Sequence, residues 1–234
     1  MPVVLLGDSI FDNNAYIAAG PDVAHQVRER LGRRGRATLA AVDGSVTADV
    51  RRQLSGLLPD ATHLVISVGG NDALQHIGML DEPARPTAAV LGRFAAIRGA
   101  FEKSYREMLQ AVLDRKVPTV VCTIYDPCYP DQWMQQAAVA ALAVFNDVIT
   151  RLAGDAGVPV IDLGRLFDDP RYYANPIEPS VAGGARLAEV ICRVVAEHDF
   201  SSRRTTLYPG PSPKGAPHYL TRCFIGTDAA YPPR

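Results

Sequence analysis

The chain has 234 residues, of which 47% are hydrophobic and 21% are charged. It can therefore bury one large core, and its composition excludes the disordered and fibrous classes. With 24 basic and 25 acidic residues the formal net charge is -1, so no strong field favours nucleic acid or an anionic membrane, and a small, weakly charged molecule is the expected partner. The four scattered cysteines lack zinc-ligand spacing, which predicts reduced thiols and no metal site.

The N-terminal segment carries no recognisable targeting signal. Residues 1–6 lack a basic region, and their apolar run is too short for a signal peptide. No stretch of the sequence is expected to reach the length of a membrane span. These features predict a cytoplasmic, soluble protein, although a mature chain that had lost a leader would begin in the same way.

Short apolar runs alternate with longer segments of helical periodicity along most of the chain. The predicted strands are residues 3–6, 38–42, 63–68, 119–123 and 158–163. The predicted helices are approximately residues 21–31, 46–57, 86–115, 132–156 and 180–198. This alternation predicts one α/β domain over residues 1–199, a flavodoxin-like three-layer sandwich around a parallel sheet of about five strands.

The last part of the chain, residues 200–234, differs in composition from the domain before it. It contains six prolines from Pro209 to Pro233 with three glycines nearby. Because proline lacks an amide donor and glycine favours turns, this segment cannot hold much regular structure. We expect an extended arm that is wrapped on the domain or partly disordered.

Small and polar residues follow each of the first three predicted strands. These loops read Gly7-Asp8-Ser9, Asp43-Gly44-Ser45 and Gly69-Gly70-Asn71-Asp72. Taken singly, a serine after a strand is most often a helix N-cap, and a Gly-Gly-Asn-Asp run is a tight turn. However, parallel strands place their carboxyl ends at one edge, where ligands bind. The three loops together therefore predict a functional site.

The order and placement of these loops resemble the first three sequence blocks of the SGNH (GDSL-type) hydrolase family, over roughly residues 3–198. The resemblance implies that Ser9 is the nucleophile. It also implies an oxyanion hole formed by the backbone N–H groups of Ser9 and Gly44 and the side-chain amide of Asn71. The implied activity is hydrolysis of a small carboxylic ester through an acyl-enzyme, without a cofactor.

The fourth block departs from the family pattern. Members usually carry Asp-x-x-His, in which the histidine is the general base and the aspartate orients it. Here Asn175 stands at the aspartate position and Glu178 at the histidine position. Three explanations remain open. Glu178 is itself the base, with a pKa raised by burial; a histidine comes from elsewhere, with His76 and His218 as candidates; or the site binds a ligand without turnover.

Other readings of the same residues also remain open. An acyltransferase would use the same acyl-enzyme, and a non-catalytic binding domain would account for the altered fourth block.

Aromatic and polar residues follow the fourth and fifth strands, namely Tyr125, Asp126, Tyr129, Trp133, Tyr172 and Tyr173. They are either walls of an acyl or aryl pocket or ordinary loop packing. Cys128, in the same region, is expected to be inert.

Overall fold

The computed structural model describes residues 1–83 and 86–210. Its strands are β1 (Pro2–Gly7), β2 (Arg36–Leu39), β3 (His63–Ser67), β4 (Thr119–Cys122), β5 (Val160–Ile161), β6 (Tyr173–Asn175), β7 (Glu178–Pro179) and β8 (Leu207–Tyr208). Its α-helices are α1 (Val23–Leu31), α2 (Val50–Gln53), α3 (Gly70–Leu74), α4 (Thr87–Leu113), α5 (Gln132–Ala156), α6 (Leu163–Leu166) and α7 (Val181–Glu197). Short 3₁₀ helices cover Asn14–Tyr16, Gly32–Arg34, Thr47–Asp49, Leu54–Gly56, Ile77–Asp81 and Pro170–Tyr172.

Six strands form one parallel sheet in the order β2-β1-β3-β4-β5-β8, and β6 and β7 form a separate antiparallel hairpin. Side chains of β1 alternate between the two faces of the sheet. Val3 and Leu5 join the hydrophobic core beneath α1 and α7, whereas Val4 and Leu6 join the core beneath α4 and α5. Burial on both faces explains why this strand is a continuous apolar run. The predicted α/β three-layer fold is confirmed.

The strand β2 is shorter than the sequence predicts. It ends at Leu39, where the amides of Ala40 and Ala41 both donate to the carbonyl of Leu5. The amide of Val42 then donates to the carbonyl of Gly7, so the regular register with β1 is interrupted although the chain stays beside it. The helix predicted over residues 46–57 is also interrupted. It consists of α2 between two 3₁₀ segments, Thr47–Asp49 and Leu54–Gly56. Both departures lie beside the loop that contains Gly44.

The arm supplies the sixth strand of the sheet. The amide of Val160 donates to the carbonyl of Thr206, and the amide of Asp162 donates to the carbonyl of Tyr208, each at 2.9 Å. This pairing precedes the prolines of the arm, so every residue of β8 retains its own amide donor. Residues from 211 onward lie outside the described part of the chain, and with them most of the predicted arm.

Helix α5 corrects the expectation that no segment is long enough to span a membrane. By length and composition its 25 residues could cross one, and it is the one such helix among the described residues. In the fold, its side chains Phe145, Val148, Ile149 and Leu152 belong to the hydrophobic core. A helix that covers a sheet carries an apolar stripe, so a core helix can satisfy the same criterion.

Candidate active site

The predicted nucleophile lies on a tight turn at the carboxyl end of β1. Gly7 has a φ of +128°, and a Cβ atom there would come within 1.7 Å of the Ser67 carbonyl oxygen. Only glycine fits this close approach of two neighbouring strands. The next amide, that of Asp8, donates to the same carbonyl at 3.1 Å. The turn is thereby fixed, and Ser9 lies half-buried at the edge of the sheet.

The structure brings Ser9 and Glu178 into direct contact. The Ser9 hydroxyl donates a 2.9 Å hydrogen bond to Oε1 of Glu178, although the two residues are 169 positions apart. Glu178 is only 5% exposed. Its other oxygen, Oε2, is buried and has no hydrogen-bond partner among the described residues. The hydroxyl of Ser9 is therefore hydrogen-bonded to a carboxyl group that is largely shielded from water.

The β6-β7 hairpin positions Glu178. Oδ1 of Asn175 accepts a hydrogen bond from the amide of Ile177 at 2.9 Å, which closes the turn before β7. The Tyr125 hydroxyl donates to the carbonyl of Ile177 and ties the hairpin to the loop after β4. Asn175 thus acts on the backbone of the turn. It does not orient the Glu178 side chain as the family's aspartate orients its histidine.

Burial strongly perturbs two carboxyl groups at this edge of the sheet. Desolvation raises the pKa of Glu178 to about 7; the hydrogen bond from Ser9 opposes this shift, and the charge of Asp43 adds to it. Desolvation also raises the pKa of Asp8 to about 8, against a hydrogen bond from the amide of Ile10. The Ser9 hydroxyl is therefore hydrogen-bonded to an acceptor, Glu178, whose pKa is close to neutral.

The proposed oxyanion donors occupy the surrounding loops. Asn71 Nδ2 donates to the carbonyl of Ser45 at 3.0 Å, and since an amide carries two hydrogens, one remains for a ligand. The backbone N–H groups of Ser9 and Gly44 have no hydrogen-bond partner among residues 1–83 and 86–210. Asn71 and Ser9 line a common cavity. Gly44 is exposed beside it, with a φ of +76°.

Gln53 is a site residue that the sequence reasoning missed. Its Oε1 accepts from the amide of Gly7 and its Nε2 donates to the carbonyl of Gly7, both at 2.8 Å. The Nε2 group also lies 3.3 Å from the hydroxyl of Ser45. Because β2 ends early, the amide of Gly7 has no acceptor on that strand, and the side chain of Gln53 supplies one. A polar residue on the apolar face shared by Val50 and Leu54 was the signal that could have revealed it.

Asp72, the residue after Asn71, holds the same loop from the other side. Its Oδ2 accepts from both the amide and the hydroxyl of Thr47, at 2.9 and 3.0 Å. Gln53 and Asn71 therefore hold the loop at Ser45, and Asp72 holds it at Thr47. The loop that carries Gly44 is fastened to both the nucleophile turn and α3.

A largely apolar cavity opens from Ser9 and Glu178. Its lining is Asp8, Ser9, Ser67, Val68, Gly70, Asn71, Ala73, Leu74, Ile77, Ile124, Tyr125, Pro127, Tyr129, Ala138, Ala141, Leu142, Phe145, Ile177 and Glu178. Of the predicted aromatic wall, Tyr125 and Tyr129 line this cavity. Trp133 is 67% exposed, Tyr172 packs against Arg186, and the Tyr173 hydroxyl donates to the backbone of Asp126.

Of the two candidate histidines, the structure describes His76. His76 is exposed, and among the described residues its side chain makes no hydrogen bond to Ser9 or Glu178. His218 lies outside the described residues. Within the same part of the chain, no group of three or more His, Cys, Asp or Glu residues could hold a metal ion. Cys122 and Cys192 are free thiols there.

Comparison with known proteins identifies one matching family and several solved structures of similar fold. The model of the GDSL-like Lipase/Acylhydrolase family matches residues 5–186. No curated protein sequence matches the chain. An extracellular lipase from Streptomyces rimosus has 20% identity and a TM-score of 0.61, over 82% of this chain and 99% of the lipase.

Two further solved structures show the same fold. The lipase Lip_vut3 from a goat rumen metagenome has 17% identity and a TM-score of 0.65, over 86% of this chain and 99% of its own. A lipase/acylhydrolase from Enterococcus faecalis has 20% identity and a TM-score of 0.59, over 83% of this chain and 95% of its own. At these identities the structural likeness establishes the fold alone.

Proposed function

Because the chain belongs to the GDSL-like lipase/acylhydrolase family, we propose that it hydrolyses a small carboxylic ester through an acyl-enzyme on Ser9, with Glu178 as the general base. The observation that carries this proposal is the 2.9 Å hydrogen bond from the Ser9 hydroxyl to Glu178. A nucleophile bonded to a proton acceptor at the carboxyl edge of the sheet is the arrangement that acyl transfer requires.

The reaction begins with attack of Ser9 Oγ on the ester carbonyl carbon while the hydroxyl proton moves to Oε1 of Glu178. The tetrahedral intermediate then collapses, the bond to the alcohol oxygen breaks, and Glu178 returns the proton to the departing alkoxide. Water attacks the resulting acyl-serine and gives a proton to the carboxylate. Collapse of the second intermediate releases the acid and restores the Ser9 hydroxyl with that proton.

A glutamate can serve as this base because of where it lies. A carboxylate with an ordinary pKa near 4.3 is a weak acceptor for a serine proton. Burial raises the pKa of Glu178 to about 7, which is the range in which a general base is both ionised and basic at neutral pH. The surrounding apolar side chains thus supply the basicity that the family obtains from an imidazole.

Three donors would stabilise the negative charge that develops on the carbonyl oxygen. They are the backbone N–H groups of Ser9 and Gly44 and the second hydrogen of Asn71 Nδ2. The hydrogen bonds of Gln53 and Asp72 hold the loops that carry these donors. Rigid placement matters because donors that need no reorganisation during reaction contribute most to the rate.

A fluorophosphonate probe tests the nucleophile directly. The expected result is one adduct on Ser9, located by peptide mass spectrometry, and its loss in Ser9→Ala. Ser201 is a matched control because its hydroxyl also lies 2.6 Å from a carboxylate, that of Asp199, but on the exposed surface. Equal labelling of Ser9 and Ser201, or none at Ser9, would favour a binding domain over an enzyme.

Acyl transfer to an alcohol or amine would pass through the same acyl-enzyme. Adding butanol during turnover of an activated ester separates the two activities. A hydrolase releases mainly the free acid, whereas a transferase releases mainly the butyl ester at the same total rate.

A further inference from the structure

Helix α5 forms one wall of the cavity that opens from Ser9. Ala138, Ala141, Leu142 and Phe145 line it, with the i, i+3, i+4, i+7 spacing of a single helix face. The side chain of Asn146 fastens this part of α5 to the end of β4, through 2.8 Å hydrogen bonds to the amide and carbonyl of Ile124. The lining face therefore starts beside the sheet edge and extends away from it.

The opposite wall comes from α3 and the 3₁₀ helix after it. Ala73, Leu74 and Ile77 line the cavity on this side, and the 3₁₀ helix packs against α5. From residue 138 to residue 145 the α5 face rises about 10 Å, at 1.5 Å per residue. The cavity is thus a short apolar slot with Ser9 and Glu178 at its polar end.

The size of the slot limits what it can enclose. Its volume is about 110 Å³, and an engineered protein cavity of about 150 Å³ holds benzene, which has six carbons. By proportion, the slot encloses about four carbon atoms. The small side chains of Ala138 and Ala141 leave this space open, and a residue as bulky as leucine at either position would reduce it strongly.

The charges of the lining decide the kind of group that fits. Among the lining residues are two carboxyl groups, Asp8 and Glu178, and no lysine, arginine or histidine. An acyl group with a terminal carboxylate would lose its hydration and face Glu178 without a cation in return. A saturated hydrocarbon chain has no hydrogen bonds to water that it would lose on entering, and the removal of its apolar surface from water is favourable.

We infer that this slot is the acyl subsite of the enzyme, that it selects an uncharged acyl chain of about four carbons, and that Ala141 on α5 sets the length limit. This inference rests on the proposed Ser9 chemistry and adds the identity of the acyl group. Ala141 acts as a specificity residue. It has no part in bond making or proton transfer.

The experiment measures kcat/KM for p-nitrophenyl acetate, butanoate, hexanoate and octanoate, and for the monoester of succinate, with the full chain. Butanoate is the expected optimum, and the succinate monoester should be at least tenfold poorer. Ala141→Leu should move the optimum to acetate and lower kcat/KM for butanoate about tenfold, since one methylene in a pocket changes discrimination by about 10- to 200-fold. Ala140→Leu is the matched control, because Ala140 is exposed on the same helix and does not line the slot.

A second variant guards against misfolding of Ala141→Leu. Leu142→Ala enlarges the slot and should raise kcat/KM for hexanoate relative to butanoate several-fold. If esters are hydrolysed and Ser9 is labelled but both variants keep the parent chain-length profile, the subsite is wrong and the hydrolase stands. If no ester is hydrolysed and Ser9 is not labelled by fluorophosphonate, both the hydrolase and the subsite are overturned.

Discussion

The hydroxyl of Ser9 donates directly to a carboxylate oxygen of Glu178 at 2.9 Å. In a Ser-His-Asp triad an imidazole separates the serine from the carboxylate, and the imidazole has the pKa that the reaction needs. Direct contact removes that intermediary, so the surroundings of the carboxyl group must supply the basicity. In the proposed mechanism burial of Glu178 supplies this basicity, because desolvation raises the pKa of its carboxyl group to about 7.

Replacing the base while keeping its shape should abolish turnover. In Glu178→Gln we expect kcat to fall about 10²- to 10⁴-fold, the usual contribution of a general base, while the thermal midpoint remains near that of the parent. Glu197→Gln, on the exposed end of α7, should keep full activity. Unchanged kcat in Glu178→Gln would remove the carboxylate from the mechanism and return attention to His76 and His218.

The family's own arrangement can also be rebuilt. Asn175→Asp combined with Glu178→His restores Asp-x-x-His on the same hairpin. If the hairpin matches the family backbone, we expect activity well above that of Glu178→Gln, measured as kcat on p-nitrophenyl butanoate. An inactive but folded double variant would mean that the turn held by the Asn175 side chain is incompatible with an imidazole base.

The rate should follow the ionisation of Glu178. Its carboxyl must be deprotonated to accept the serine proton, so kcat/KM should rise about tenfold per pH unit below a midpoint at about 7 and level off above it. The negative charge of Asp43 raises the pKa of Glu178. Asp43→Asn should therefore shift the pH-rate profile towards lower pH, and the exposed Asp60→Asn should not. A profile independent of pH between 5 and 8 would contradict a carboxyl base with this pKa.

The side-chain amide of Asn71 should act mainly in the transition state. Asn71→Ala is expected to lower kcat by about 10²-fold, measured by steady-state kinetics, with little change in KM. Because Asn71 also donates to the carbonyl of Ser45, the thermal midpoint must be recorded alongside. A raised KM with unchanged kcat would assign Asn71 to substrate binding instead.

Gln53 should position the site without touching the substrate. Gln53→Met removes both hydrogen bonds to Gly7, and leaving a buried polar group unpaired costs about 1–3 kcal/mol in the free energy of unfolding. We also expect slower fluorophosphonate labelling of Ser9, since the nucleophile turn loses its support. Gln110→Met on the exposed face of α4 is the control. Loss of stability with an unchanged labelling rate would make Gln53 a purely structural residue.

The raised carboxyl pKa values also predict how stability depends on pH. Asp8 and Glu178 ionise near pH 3.8 and 4.5 in the unfolded chain, but at about 8 and about 7 in the fold. Between pH 4 and 8 the folded state therefore binds more protons, and the free energy of unfolding falls as the pH rises. Asp8→Asn should flatten this decline in urea titrations at several pH values, whereas the exposed Asp155→Asn should leave it unchanged.

The architecture and the approximate place of the candidate site could be predicted from the sequence. A central strand that is buried on both faces is a continuous apolar run in the sequence, and a helix that covers the sheet has an apolar stripe. The alternation of strands and helices could therefore be predicted from the sequence. The loops with Ser9, Gly44 and Asn71 could be assigned to one edge because parallel strands end together. Composition alone could not show whether α5 covers a sheet or crosses a membrane, since both require apolar residues.

Which of these residues meet depends on the three-dimensional packing of the chain. Glu178 becomes a candidate base because a hairpin 169 residues away from Ser9 buries it there, and desolvation is a property of the packed environment. Gln53 matters because β2 ends early and the Gln53 side chain supplies the acceptor for the amide of Gly7. Periodicity reports which residues are buried but not which distant segments meet. The contact between Ser9 and Glu178, and the apolar slot beside it, therefore follow from packing that no local pattern encodes.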